Sequence, residues 1–163
     1  MISAKVMLLG DIGVGKTSLA RRLVFDRFET DYKSTIGVDV LTYDATLGPD
    51  CDNEQMRLVL WDTDGDFGDR IFETVYLAGA SGAVIVSDAS RPATLAKMAN
   101  LARRFEDEFP GRPLVCIVNK IDLAPQLAAG DAPQGALYSS ARTGEGVAEL
   151  FATLGGMIWR RRG

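Results

Sequence analysis

The stretch Gly10-Asp11-Ile12-Gly13-Val14-Gly15-Lys16-Thr17 constrains this chain more than any other. It fits the pattern GxxxxGK(S/T), between the apolar run Val6 to Leu9 and a helical pattern opening near Lys16. In such a strand–loop–helix setting the glycines answer one need. A loop that wraps an anion with its own backbone N–H groups requires conformations and distances that a Cβ would obstruct. The first helical turn adds N–H groups and a partial positive charge, Lys16 offers a cation to β and γ phosphates, and the Thr17 hydroxyl suits Mg²⁺. Asp11, Gly13, Val14, Gly15, Lys16, Thr17 and Ser18 are therefore the expected phosphate-side contacts. The bland alternative is a glycine-rich turn that binds nothing, which would leave a buried lysine without an anion at considerable cost.

Short apolar runs recur at Val84 to Val86 and Leu114 to Val118, with helical patterns between, which predicts a largely parallel sheet. Leu19 and Leu23 lie one helical turn apart. Leu95, Met98, Ala102, Phe105 and Phe109 keep to one face, as do Val147, Leu150, Phe151, Leu154 and Ile158. The last helix is expected to dock on the sheet although Gly155 and Gly156 each weaken it by about 1 kcal/mol. Alternation is broken from Val38 to Asp62, where the strand candidates Val38 to Leu47 and Gln55 to Trp61 flank Gly48-Pro49-Asp50, the mark of an antiparallel hairpin. Ala124 to Gly135 lacks an apolar stripe and reads as an irregular loop.

The length of 163 residues suits one domain over 1–163. A net charge of −4 argues against a general nucleic-acid binder. The only cysteines, Cys51 in a loop and Cys116 in an apolar run, do not make a disulfide scaffold, so a reducing interior is expected. With no signal peptide or membrane-spanning run, the expected location is cytoplasmic. Histidine is absent, which excludes His-based triads and His-ligated metals and leaves carboxylates, hydroxyls, lysine and metal.

Asn119-Lys120-Ile121-Asp122 follows the Leu114 to Val118 run directly, at the sheet edge where open α/β folds bind ligands. An aspartate there answers guanine's two adjacent donors, whereas adenine would leave the carboxylate unpaired. Alone, this motif could equally be a polar strand end capping a turn; its weight comes from sharing a chain with the phosphate loop. Ser139-Ser140-Ala141-Arg142 follows a further strand candidate, Ala136 to Tyr138, and offers backbone donors to a base oxygen.

In order and spacing, this set resembles the Ras superfamily of small GTPases, and its Rab-like branch in particular. Ser34-Thr35-Ile36-Gly37-Val38-Asp39 resembles a Rab switch I, Trp61-Asp62-Thr63-Asp64-Gly65 stands where WDTAG belongs, and Ser140-Ala141-Arg142 resembles the SAK element. The resemblance implies a P-loop fold with a mostly parallel six-stranded sheet, one antiparallel edge strand and helices on both faces. It implies GTP/GDP and Mg²⁺ as ligands, with metal contacts from Thr17, Thr35 and Asp62. Catalysis would involve Lys16, Thr35, Gly65 and Asp66, the Gly65 N–H sensing the γ phosphate. Phe28 would pack on the guanine ring, Ala141 would donate to its oxygen beside Ser140 and Arg142, and Lys120 would lie along the base that Asn119 and Asp122 help to hold. It further implies a switch whose effector and regulator proteins meet residues 25–45 and 62–76.

Asp66 replaces the glutamine that orients attacking water in that family, and Asp64 replaces its alanine. A carboxylate accepts a hydrogen bond from water but donates none to phosphoryl oxygens, and its charge opposes them, so slow hydrolysis is expected. Ile12 would crowd an inserted arginine, while Arg27 and Arg70 are candidates to act in cis. Val40 stands where a Rab has phenylalanine, with Trp61 and Tyr76 retained, which alters the expected effector surface. The short path from Asp122 to Ser140 implies that the helix before the last strand is reduced or missing. No cysteine near the C-terminus and no glycine after Met1 predict no lipid anchor, which would suit a prokaryotic source. The expected state is a monomer or a nucleotide-dependent association. A non-hydrolysing, guanine-nucleotide-bound interaction module is the alternative reading.

Overall fold

In the computed structural model, which describes residues 1–28, 37–63, 65–124 and 135–162, six strands form one sheet in the order β2-β3-β1-β4-β5-β6. The strands are β1 (Ile2–Gly10), β2 (Val38–Thr46), β3 (Gln55–Thr63), β4 (Gly82–Asp88), β5 (Leu114–Asn119) and β6 (Leu137–Tyr138). The helices are α1 (Lys16–Phe25), α2 (Ala93–Glu108) and α3 (Val147–Arg162). Every pairing is parallel except that of β2 with β3, which are joined by the hairpin the turn residues predict. The turn winds Pro49–Cys51 into a short 3₁₀ helix, so Cys51 is buried rather than lying in an open loop.

The apolar runs are continuous because the sheet is covered on both faces. Ala4, Val6 and Leu8 of β1 face one core with Leu19 and Ala20 of α1 and Val147, Leu150, Phe151, Leu154 and Ile158 of α3. Met7 and Leu9 point the other way, into a core with Met98, Leu101 and Phe105 of α2. β1 extends back to Ile2, beyond its apolar run, because it pairs with β3 from Ile2 onward, while its pairing with β4 begins at Val6. Gly155 lets α3 approach closely: a Cβ there would stand 3.1 Å from Leu47 Cδ2. The strength lost to helix propensity is thus offset by packing.

This topology brings the carboxyl ends of β1, β4, β5 and β6 together. Gly10 pairs with Val86, Asp88 with Asn119, and Tyr138 with Val118, so the loops leaving these strands share one edge. Thr35 with its neighbours Ser34 and Ile36, Asp64, and the segment 125–134, where the reduced or missing helix is expected, lie outside the described residues.

Candidate functional site

The loop after β1 turns into α1 at Gly15, whose φ of +105° belongs to the left-handed region. A Cβ on Gly15 would also stand 2.3 Å from Asn119 Nδ2. Helix α1 starts with no side-chain cap and no acidic residue in its first turn, so its N-terminal dipole is not offset locally. Lys16 is buried, at 6% exposure, and its ammonium arches back over the loop to donate to the carbonyls of Gly10 (2.9 Å) and Asp11 (3.0 Å). A cation, an open helix start and a glycine-shaped backbone therefore converge, the arrangement that suits a phosphate chain.

One residue beyond Lys16, the Thr17 hydroxyl donates to Asp62 Oδ2 at 2.5 Å. Asp62 is almost wholly buried near the end of β3, beside Thr63, whose hydroxyl donates to the Leu8 carbonyl at 2.7 Å. These hard oxygens at the mouth of the phosphate loop fit a divalent magnesium ion, which takes few protein ligands and completes its shell with phosphate oxygens and water. Among the described residues no group of three or more Cys, Asp or Glu side chains is placed to hold a metal by itself.

Gly65 begins a 3₁₀ segment, Gly65–Glu73, that is broken by a kink at Gly68, and lies directly against the phosphate loop: a Cβ on it would fall 2.4 Å from both Ile12 N and Ile12 Cα. Asp66 follows at the surface, and the Arg70 guanidinium folds back onto the Asp66 carbonyl at 3.0 Å. Arg27, the other candidate cation, lies 5.3 Å over the Phe25 ring. Phe28, expected to flank a base, is exposed at the end of the first described segment.

Two base-side residues, Asn119 and Lys120, are joined to the phosphate loop. Asn119 is 1% exposed; its Nδ2 donates to the Val14 carbonyl at 3.0 Å, and its Oδ1 accepts from Ser139 Oγ (3.0 Å) and the Ala141 N–H (3.3 Å). It braces the two loops against each other. Lys120 adopts φ +65°, which costs a non-glycine residue about 1 kcal/mol, and this bend delivers its ammonium to the Gly13 carbonyl at 2.7 Å. Asp122 Oδ1 accepts from Ser140 Oγ at 2.8 Å, fixing the carboxylate at the mouth.

Two residues not anticipated from sequence complete the frame. Arg22 of α1, with a side chain 17% exposed, donates from Nε to the Ala141 carbonyl (2.8 Å) and from Nη2 to the Arg142 carbonyl (2.5 Å). Nothing local marks it, since its acceptors are main-chain carbonyls 119 and 120 positions away. Asp88 ends β4 with its side chain 1% exposed and lies 3.0 Å from the Lys120 ammonium. Burial alone would raise the Asp88 pKa, but bonds from Ser90, Lys120 and Arg91 outweigh it and hold the carboxyl below its ordinary value. A carboxylate closing an apolar strand was the legible signal for it.

Comparison with known proteins gives the same reading. Residues 5–122 match the family model described as Roc, the Ras of Complex domain of DAPkinase. The chain is 33% identical to the GTP-binding protein ypt5 of Schizosaccharomyces pombe, over 94% of this chain and 76% of that protein. It is 29% identical to GTP-binding protein YPT52 of Saccharomyces cerevisiae, over 98% of this chain and 83% of that one. To the Ypt/Rab-type GTPase Rab7 of Gibberella zeae it is 36% identical, over 73% of this chain and 58% of that protein. Phosphate loop, braced base-side loop, sheet order and relatives agree: the chain belongs to the Ras superfamily of small GTPases, on its Rab-like side.

Proposed function

We propose that this protein is a Mg²⁺-dependent GTP/GDP switch with slow intrinsic hydrolysis. The observation that carries the reading is the joining of two half-sites: Asn119 and Lys120 hydrogen-bond to the Val14 and Gly13 carbonyls, so the Asp122 carboxylate and the phosphate loop are held at a fixed spacing. A guanine nucleotide suits these two loops chemically, with its base donors at Asp122 and its phosphates at Lys16 and the α1 N-terminus. Relatives with GTP-binding in their names support the same ligand.

Thr17 and Asp62 would hold Mg²⁺, together with Thr35 by resemblance. When bound, the ion neutralises charge on the β and γ phosphates. Lys16 shifts from the loop carbonyls to the phosphates it faces. Gly65 lies against Ile12, so a group occupying the γ-phosphate position bears on the 3₁₀ segment Gly65–Glu73, and this couples nucleotide state to the surface carrying Val75 and Tyr76. Asp66 supplies neither a donor nor a favourable charge to phosphoryl oxygens, which is why turnover is slow. Effectors and regulators would meet residues 25–45 and 62–76, where Val40 and Val75 are exposed.

Single-turnover hydrolysis of Mg²⁺-GTP tests this reading. The expected rate is on the order of 10⁻⁴ s⁻¹ or below, and a partner-free rate on the order of 1 s⁻¹ would contradict it. Hydrogen exchange at residues 25–37 and 62–76 is expected to differ between GDP and a non-hydrolysable GTP analogue; identical exchange would rule out a switch.

A further inference from the structure

We infer that Arg91 is a positioning residue that holds the outer side of the phosphate loop, acting beside Lys120 through the shared carboxylate of Asp88. The inference rests on the proposed guanine-nucleotide site and concerns how its phosphate half keeps its shape.

The loop from β4 into α2 is tightly fixed. Asp88 Oδ1 accepts from the Ser90 N–H (2.9 Å) and hydroxyl (2.7 Å). The Thr94 hydroxyl accepts from the Asp88 N–H (2.8 Å) and donates to the Arg91 carbonyl (2.8 Å). Arg91 projects from this frame with its guanidinium divided between two acceptors: Nε lies 3.1 Å from Asp88 Oδ2, and Nη2 donates to the Ile12 carbonyl at 2.7 Å. The same Asp88 Oδ2 lies 3.0 Å from Lys120 Nζ, which donates to the next carbonyl of the loop, Gly13, at 2.7 Å.

Two consecutive carbonyls are thus drawn outward by two cations that share one buried carboxylate. In a planar trans peptide the carbonyl and the following N–H point in opposite directions. Holding the Ile12 and Gly13 carbonyls outward therefore turns the N–H groups of Gly13 and Val14 inward, toward the side that a phosphate occupies. Arginine suits the task because its rigid planar fork can reach a carboxylate and a carbonyl together, whereas a lysine head presents a point charge. Asp88 prevents the two cations from repelling each other and drifting off their carbonyls.

The test follows release of a fluorescent GDP from the Mg²⁺-loaded full chain, together with the ³¹P resonance of the β phosphorus of bound GDP. Arg91→Ala is expected to release GDP about five to ten times faster, the scale of one charge-assisted hydrogen bond discounted for the solvent that reaches a guanidinium on a 42% exposed side chain, and to move the β-phosphorus resonance. Arg91→Lys, which keeps the charge and the fold, should fall between wild type and Arg91→Ala. Arg103→Ala, which removes an exposed cation from the outer surface of α2, should release GDP as wild type does. Release by Arg91→Ala and Arg91→Lys within twofold of wild type, with an unmoved resonance, would overturn the inference while leaving the proposed function intact. A wild type that binds no guanine nucleotide would overturn both.

Discussion

Replacing Arg22 with alanine removes a side chain bonded to the Ala141 and Arg142 carbonyls and to Asp26, and the result should be weak guanine binding. Its Nε and Nη2 donate to the carbonyls of Ala141 and Arg142 at 2.8 and 2.5 Å, from a side chain only 17% exposed. Those bonds anchor the segment whose N–H groups would face the base oxygen. Each charge-assisted bond is worth about 1.5 kcal/mol before discounting for the solvent that still reaches the guanidinium, so about 2 kcal/mol for the pair is a fair expectation. Spent on ordering the loop at the moment of binding, that is roughly a 30-fold rise in Kd. Equilibrium competition against a fluorescent GDP measures it, with GMP as a second competitor. Because the loss falls on the base side, Arg22→Ala should weaken GDP and GMP by the same factor, and Arg22→Lys, with one donor head for two carbonyls, should lie between. A GDP Kd within threefold of wild type, or a loss confined to the phosphate-dependent difference between GDP and GMP, would refute the reasoning.

Asp66→Gln should raise single-turnover GTP hydrolysis at least several-fold, because glutamine restores a donor at that surface position; an unchanged or lower rate would remove Asp66 from the explanation of slow turnover. Gly156→Ala should stabilise the fold by about 0.5–1 kcal/mol in urea unfolding, since a Cβ there meets only the flexible end of Arg160 at 3.4 Å while the helix gains propensity. Asp88→Asn should destabilise the chain by about 1–2 kcal/mol at pH 7, the range for a lost charge-assisted pairing whose cations are partly in solvent. Because the folded Asp88 pKa is depressed, that stabilisation is fully present above the unfolded carboxylate value of about 4 and fades as pH falls through the lower folded value, so the gap between wild type and Asp88→Asn should narrow as pH falls below that unfolded value. A gap independent of pH would show that Asp88 acts through packing alone.

The sequence carried the site's outline because anion binding and base discrimination demand particular residue types at short spacing. Glycines, Lys16 and Thr17 lie within one loop and one helical turn, and Asn119 to Asp122 follow a single strand. The fold was legible for a related reason: parallel strands buried on both faces read as unbroken apolar runs, and β2 with β3 gave themselves away by lacking a helix between them. What the sequence concealed is the frame that holds the loops to each other. Arg22, Arg91 and Asn119 act on main-chain carbonyls of distant residues, and a carbonyl acceptor has no side-chain signature. Asn119 could be read from the sequence as a ligand contact, but not as the amide that ties Val14 to Ser139 and Ala141. Strand ends were also hidden, since β1 runs back through Ser3 and Lys5, whose ammonium bonds the Ala78 carbonyl at 2.8 Å while lying 3.9 Å over the Trp61 ring. Leu101 of α2, absent from the expected stripe, is buried beside Met98 and Phe105 because it lies three residues after one and four before the other, at the edge of the same helical face.

The central claim is that two loops, braced together, hold a guanine nucleotide. Its most direct test is to denature the purified protein and identify the nucleotide released per chain, after incubation with equal GDP and ADP in the presence of Mg²⁺. The account predicts close to one guanine nucleotide per chain and no adenine nucleotide. Release of ADP in comparable amount, or of no nucleotide from folded protein, would contradict it.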